Sequence, residues 1–196
     1  MIMFLLKKPT EEVIRSFISS QSDQKFSYHQ TGATRDGAPT GFIVDHNRIR
    51  LGEGEKTFNN GIAAIRSWEM FNLGWVQLFW PHTPIEIGST VSVLAHHLGL
   101  WSLNACRIVY LINEDGPISR FGFAYGTLSE HAESGEERFM VEWHRSDNSV
   151  WYDLFAFSRP NQFLSIAGFP VARFLQKRFA KDSKQAMIRA VAKAQG

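Results

Sequence analysis

Apolar and polar residues alternate with period two over several short stretches of this chain, the mark of half-buried strands. The stretches run from Trp75 to Trp80, Thr90 to His97, Ala105 to Ile112, Phe121 to Leu128, Arg138 to His144 and Val150 to Phe157. An earlier one, Gly41 to Leu51, sets apolar Phe42 and Val44 before a mostly polar run from Asp45 to Arg50. Short turns such as Asn113-Glu114-Asp115-Gly116-Pro117 and Arg145-Ser146-Asp147-Asn148 separate the later stretches. Consecutive short connections favour an antiparallel meander over a βαβ sheet.

The period changes in three places. Thr10 before Glu11 and Glu12 supplies an N-cap hydroxyl and early acids, and Val13, Phe17 and Ile18 follow as a short apolar stripe. From Glu55 to Trp68, Phe58, Ile62 and Ile65 recur at helical spacing. Val171 to Ala194 predicts one long amphipathic helix, with Val171, Leu175, Phe179, Ala186 and Ala190 on one face and Arg173, Lys177, Lys181 and Lys184 on another. Ser27 to Gly41 is rich in Gly, Thr, Asp and Pro and predicts a loop.

The expected fold class is therefore α+β: a curved antiparallel sheet of about six to seven strands covered by the long C-terminal helix. No repeat or linker divides the chain, so residues 1–196 form one domain. Residues 1–26 are a helical extension and 171–194 the covering helix. The order resembles the helix-grip fold of START-like and birch-pollen-allergen-like proteins, in which helix and sheet enclose a cavity for apolar ligands.

Composition narrows this picture. A chain of 196 residues with 44% hydrophobic and 20% charged residues suits one soluble globular domain. Its aromatic content, with 16 Phe and 6 Trp, suits a thick core or a ring-lined cavity. Cys106 is the single cysteine, which excludes an internal disulfide or a multi-cysteine metal site. In MIMFLLKKP the lysines follow a short apolar run, the reverse of a signal peptide, and no stretch is long enough for a membrane span. A cytoplasmic location is expected. Residues 171–196 hold seven basic residues against one acid, so residues 1–170 carry the balancing −4 within the overall +2.

The segment RFGFAYGTLSEHAESGEERF, from Arg120 to Phe139, predicts a hairpin with Glu130, His131, Glu133, Gly135, Glu136 and Glu137 at or near its turn. Alternation would put Ser129, His131 and Glu133 on one side, and a histidine between a hydroxyl and a carboxylate can shuttle protons. His131 and Glu133 are the catalytic candidates; solvated turn acids are the competing reading. Charged and hydroxylated residues within apolar strands form a second set, because buried charges are costly unless paired. Arg107, Tyr110, Tyr125, Glu142, Asp153 and Arg159 are accordingly candidate ligand anchors, with structural ion pairing as the alternative. Along the last strand Trp151, Asp153, Phe155, Phe157 and Arg159 share one face and Tyr152, Leu154 and Ala156 the other, and both are apolar enough to point inward.

Several chemistries lack support. Gly52 to Thr57 has the wrong spacing for a phosphate loop. No serine sits in G-x-S-x-G, and Cys106 has no local His or Asn signature. His96 and His97 are adjacent in a strand and face opposite ways, so no metal site is expected and no cofactor is implied.

The runs LGEGEKTF, AIRSWEMFNLGWV, CRIVYLINE, RFGFAYGTLSEHAESGEERF, SVWYDLFAFSRP and LQKRFAKDSKQAM resemble a widespread family known only as domain of unknown function 1990. The resemblance spans about Tyr28 to Met187 and implies one domain and no assigned reaction; it also implies kinship with START-like proteins. Three functions remain in view. The first is a helix-grip domain binding an apolar or amphipathic small molecule. The second is an acid/base enzyme using His131 and a nearby carboxylate. The third is an interaction module using the basic helix face, although no nucleic-acid partner is expected.

Overall fold

A computed structural model describes residues 3–161 and 169–194. Its strands are β1 (Met3–Leu5), β2 (Ile43–Glu53), β3 (Val76–Phe79), β4 (Thr90–His97), β5 (Leu100–Glu114), β6 (Ile118–Thr127), β7 (Glu133–His144) and β8 (Ser149–Pro160). Its helices are α1 (Glu11–Ser20), α2 (Gly54–Arg66) and α3 (Phe169–Lys193), with 3-10 turns at Ala33–Arg35 and Glu69–Phe71. All pairings are antiparallel, in the order β2-β8-β7-β6-β5-β4-β3. The additional strand β1 pairs with β5 at Trp101 to Leu103, beyond the end of β6. This is the helix-grip α+β architecture: a curved antiparallel sheet with the long C-terminal helix across it.

One face of the sheet, here called inner, is covered by α2 and α3. Its core gathers Phe58 and Ile65 from α2, Phe123 and Tyr125 from β6, Phe139 and Val141 from β7, Tyr152 and Leu154 from β8, and Met187 from α3. Helix α2 approaches β7 closely through Gly61, where an added Cβ would lie 3.1 Å from Val141 Cγ1. Tyr152 meets Ser183 of α3 by a hydroxyl–hydroxyl bond of 2.9 Å.

The outer face has its own cover. Thr10 caps α1 by accepting from the Val13 N–H at 3.4 Å, and Glu11 and Glu12 occupy the first turn, where they oppose the helix dipole. The helix then buries Ile14 and Phe17 against Leu94, Leu103, Ala105 and Leu128. The segment after α1 is pinned by Glu136. Its buried carboxylate accepts from the Tyr28 hydroxyl at 2.6 Å, from the N–H groups of Gly32 and Thr34 at 2.7 and 3.0 Å, and from the Thr34 hydroxyl. Gly126 makes room for this contact, since a Cβ there would lie 2.1 Å from the Tyr28 oxygen.

Two details depart from the sequence expectation, and a third decides a question the sequence leaves open. The 120–139 hairpin turns at residues 128–132, where the His131 N–H donates to the Leu128 carbonyl. Glu133 to Glu137 therefore belong to β7 and not to the turn. In β5 the register shifts between Ile108 and Tyr110, so Ile108 packs in the inner core while Tyr110 emerges outside with Ile112, Ala124 and Met140. In β8, Tyr152, Leu154 and Ala156 face inward and Asp153 faces outward.

Candidate functional site

Between them the inner face and α3 form a half-open cavity of about 780 Å³. That lies within the range of small-molecule sites and far above the room needed by one water. Its walls are mostly apolar: Val93 and Ala95 of β4, Leu154 of β8, Leu175 and Phe179 of α3, with Phe71 and Trp75 from the connection after α2. Phe71 brings its ring 5.3 Å from Phe179 and 5.4 Å from Phe139, so the apolar wall is braced by tilted ring pairs. Trp75 is fixed from both ends. Its indole N–H donates to Asp182 Oδ2 at 2.9 Å, and the Arg178 guanidinium lies 4.4 Å from its ring. Val44 and Val171, both exposed, contribute to the rim.

Polar groups line this cavity from most strands of the sheet and from α3, among them His97 of β4, Ser102 and Asn104 of β5, and Ser158 of β8. The Tyr125 hydroxyl donates to Glu137 Oε2 at 2.8 Å, and the Gln176 amide donates to Glu133 Oε1 at 2.7 Å and Ser158 Oγ at 3.0 Å. Arg173 holds Asp45 through two bonds of 2.5 and 2.8 Å, which neutralises that acid at the sheet edge. Glu133 and Glu137 have no such partner: among the described residues neither forms an ion pair, and their hydrogen bonds come from neutral donors.

The electrostatics follow from this placement. Burial raises the Glu137 pKa to about 7, with the Tyr125 hydrogen bond acting against the rise and the charges of Glu133 and Asp45 adding to it. Burial also raises Glu133, opposed by Gln176 and by the charge of Arg173. His131 moves the other way, lowered by burial to about 4. Its Nδ1 accepts from the Glu133 N–H at 2.9 Å, so in the neutral ring the proton sits on Nε2. The Cys106 thiol, also in the lining, is pushed up by burial and is no nucleophile near neutral pH.

Of the residues singled out in the sequence, His131, Glu133 and Tyr125 line this cavity. The other candidates lie elsewhere. Arg107 donates to the carbonyls of Gln21, Ser22 and Gln24 and ties the segment after α1 to β5. Tyr110 bonds the Thr34 hydroxyl at 2.8 Å under the Arg35 guanidinium. Glu142 pairs on the outer face with Arg48 at 2.7 Å and Arg120 at 2.9 Å, and Asp153 with His46 at 2.7 Å and Arg138 at 2.9 Å. Arg159 is exposed, its guanidinium 4.5 Å from the Phe42 ring. The basic helix stripe is also divided, because Arg173 turns to Asp45 and Lys184 donates to Asn47 at 3.0 Å, while Lys177 and Lys181 stay exposed.

Sequence reasoning passed over Glu137 and Gln176. The signal for Glu137 was present: Glu133, Glu137, Phe139, Val141 and Trp143 keep one parity, which extends the strand back through the acids. Gln176 carried no comparable mark.

Comparison with known proteins places this architecture. A family model described as "Domain of unknown function (DUF1990)" matches residues 27–186. A UPF0548 protein of Dictyostelium discoideum is 38% identical, the match covering 96% of each chain. A UPF0548 protein of Deinococcus radiodurans is 36% identical, covering 96% of this chain and 98% of its own. Among solved structures, Ara h 8.0201 superposes with a TM-score of 0.50 over 78% of this chain and 99% of its own, at 10% identity. That last likeness shows the shared fold alone. With sheet order, covering helix and near full-length sequence match in agreement, the chain belongs to the DUF1990 family, a domain of unknown function on a helix-grip scaffold.

Proposed function

We propose that this protein binds an apolar or amphipathic small molecule between its sheet and α3. The observation that carries the reading is the cavity of about 780 Å³, walled by Phe71, Trp75, Phe179, Val93 and Leu154 and lined in part by hydrogen-bonding groups. An opening of this size is within the range of small-molecule sites. The walls supply burial for an apolar body, worth about 25 cal/mol per Å² removed from water. Tyr125, Glu133, Glu137 and Gln176 supply orientation. No helix among the described residues is long and apolar enough to cross a membrane. A cytoplasmic setting accords with the one cysteine, which is buried and unpaired.

The acid/base alternative keeps one specific observation in its favour: His131 and Glu133 both line the cavity. Against it, a ring with its pKa lowered to about 4 is a weak base, and its Nδ1 lone pair is already occupied by the Glu133 N–H.

Native mass spectrometry of freshly purified protein tests the binding reading. A discrete adduct of a few hundred daltons, released on denaturation in organic solvent, is the expected result. Identical masses before and after denaturation, with no binding across a panel of apolar and amphipathic compounds, would count decisively against it.

A further inference from the structure

The polar end of the cavity has an uneven charge balance. Asp45 is neutralised by Arg173, but among the described residues the Glu137 carboxylate meets only the neutral Tyr125 hydroxyl and the Glu133 carboxylate only the Gln176 amide. A carboxylate facing a half-open, largely apolar space without a cation is costly, and the cost is reduced when a ligand brings the cation. We propose that the cavity selects a ligand whose polar head is a protonated amine, held by the Glu137 carboxylate beside the Tyr125 hydroxyl, with Glu133 adding negative potential. The inference rests on the cavity being a ligand site and specifies which head group that site takes.

The surroundings of Glu137 favour this head over an acid or an alcohol. The titratable groups that face it are Tyr125 from β6, Cys106 from β5, Tyr152 from β8, Glu133 from β7 and Asp45 from β2. The Tyr and Cys groups are held neutral by burial, so the remaining charges around Glu137 are negative apart from the Arg173 that answers Asp45. A ligand carboxylate would meet like charge, and a hydroxyl would bring no countercharge. Lys177 borders the cavity but is exposed and forms no ion pair with either glutamate. The apolar body would then lie toward Phe71, Trp75 and Phe179.

Amine binding requires Glu137 to be ionised, and its pKa of about 7 makes the competent fraction pH-dependent. That fraction is roughly one in eleven at pH 6 and ten in eleven at pH 8, so affinity rises about tenfold between them while an alkylamine stays protonated.

The experiment uses three matched probes, 4-phenylbutylamine, 4-phenylbutanol and 4-phenylbutanoic acid, titrated by calorimetry into the full chain at pH 6, 7 and 8. The expected result is the amine binding at least tenfold tighter than the other two at pH 8, with the gap narrowing about tenfold toward pH 6. In Glu137→Gln the amine should fall to the level of the alcohol while alcohol binding is kept. If that variant does not fold, the probe ranking and pH series of the unaltered protein decide. An alcohol or acid that binds as tightly as the amine overturns the head-group inference and leaves the cavity reading standing. Failure of all three probes overturns both.

Discussion

Replacing Glu137 with glutamine should stabilise the protein above neutral pH and leave its stability unchanged near pH 4.5. Burial in the cavity wall raises this carboxyl from its ordinary 4.5 to about 7. In the unfolded chain the group ionises near its ordinary value. Between pH 4.5 and 7 the native state thus keeps a proton that the unfolded state has released, and stability falls as pH rises through the window. A carboxyl raised from 4.5 to about 7 corresponds to roughly 3 kcal/mol, and partial solvent contact through the cavity trims this to about 2–3 kcal/mol. Glutamine keeps an acceptor for the Tyr125 hydroxyl, so the hydrogen bond at 2.8 Å survives while the charge is lost.

Urea unfolding of both proteins from pH 4.5 to 8.5 measures the difference. The two should coincide at the acid end and separate by about 2–3 kcal/mol at pH 8. His131 sharpens the test because its slope has the opposite sign. Its pKa is lowered from 6.5 to about 4, so its contribution is present above pH 6.5 and is lost as pH falls toward 4. In the unaltered protein the two slopes largely cancel between pH 4.5 and 6.5. In Glu137→Gln the opposing Glu137 slope is gone, so the variant should lose more stability on acidification than the unaltered protein. Parallel pH profiles for the two proteins would refute the reasoning.

Three further outcomes follow from the same geometry. Glu136→Ala leaves the donors of Tyr28, Gly32 and Thr34 without their buried acceptor and should cost about 3–5 kcal/mol in a urea melt; a loss below 1 kcal/mol would contradict the role given to Glu136. Tyr125→Phe removes a hydrogen bond that lowers the Glu137 pKa, so the carboxyl should titrate still higher when followed by NMR of ¹³C-labelled glutamate. Cys106, buried with its thiol pushed upward, should resist Ellman's reagent at pH 8 until the protein is unfolded; rapid labelling of the native protein would show that the wall opens.

Much of the fold was legible because period-two alternation and turn chemistry are local signals. The strand at Thr90–His97 has the limits its pattern implies, and Thr10 caps α1 as its hydroxyl suggests. The rest depends on tertiary contacts. Three apolar residues, Met3–Leu5, become a strand only because β5 extends past β6 and offers a free edge. The bulge after Ile108 moves Tyr110 to the outer face, where strand parity alone would keep it beside Cys106. Both faces of β8 read as apolar because both are covered, one by α3 and the other by packing of Phe157 against Tyr28 and Phe42. The candidate site was half legible for the same reason: His131, Glu133 and Tyr125 stood out by chemistry, while Glu137 looked like a turn acid until β7 was seen to begin at Glu133.

The central claim, that the space between the sheet and α3 is a ligand site, is tested most directly by filling it. Val93 of β4 and Ala156 of β8 both line the cavity, and the double variant Val93→Phe/Ala156→Phe would project two rings into it. Titration of the neutral dye Nile red into the native protein and this variant, with circular dichroism to confirm that both fold, provides the measurement. Saturable one-to-one binding to the unaltered protein, weakened at least tenfold in the filled one, is the predicted result. Equal binding by the two folded proteins, or none by either, would contradict the account.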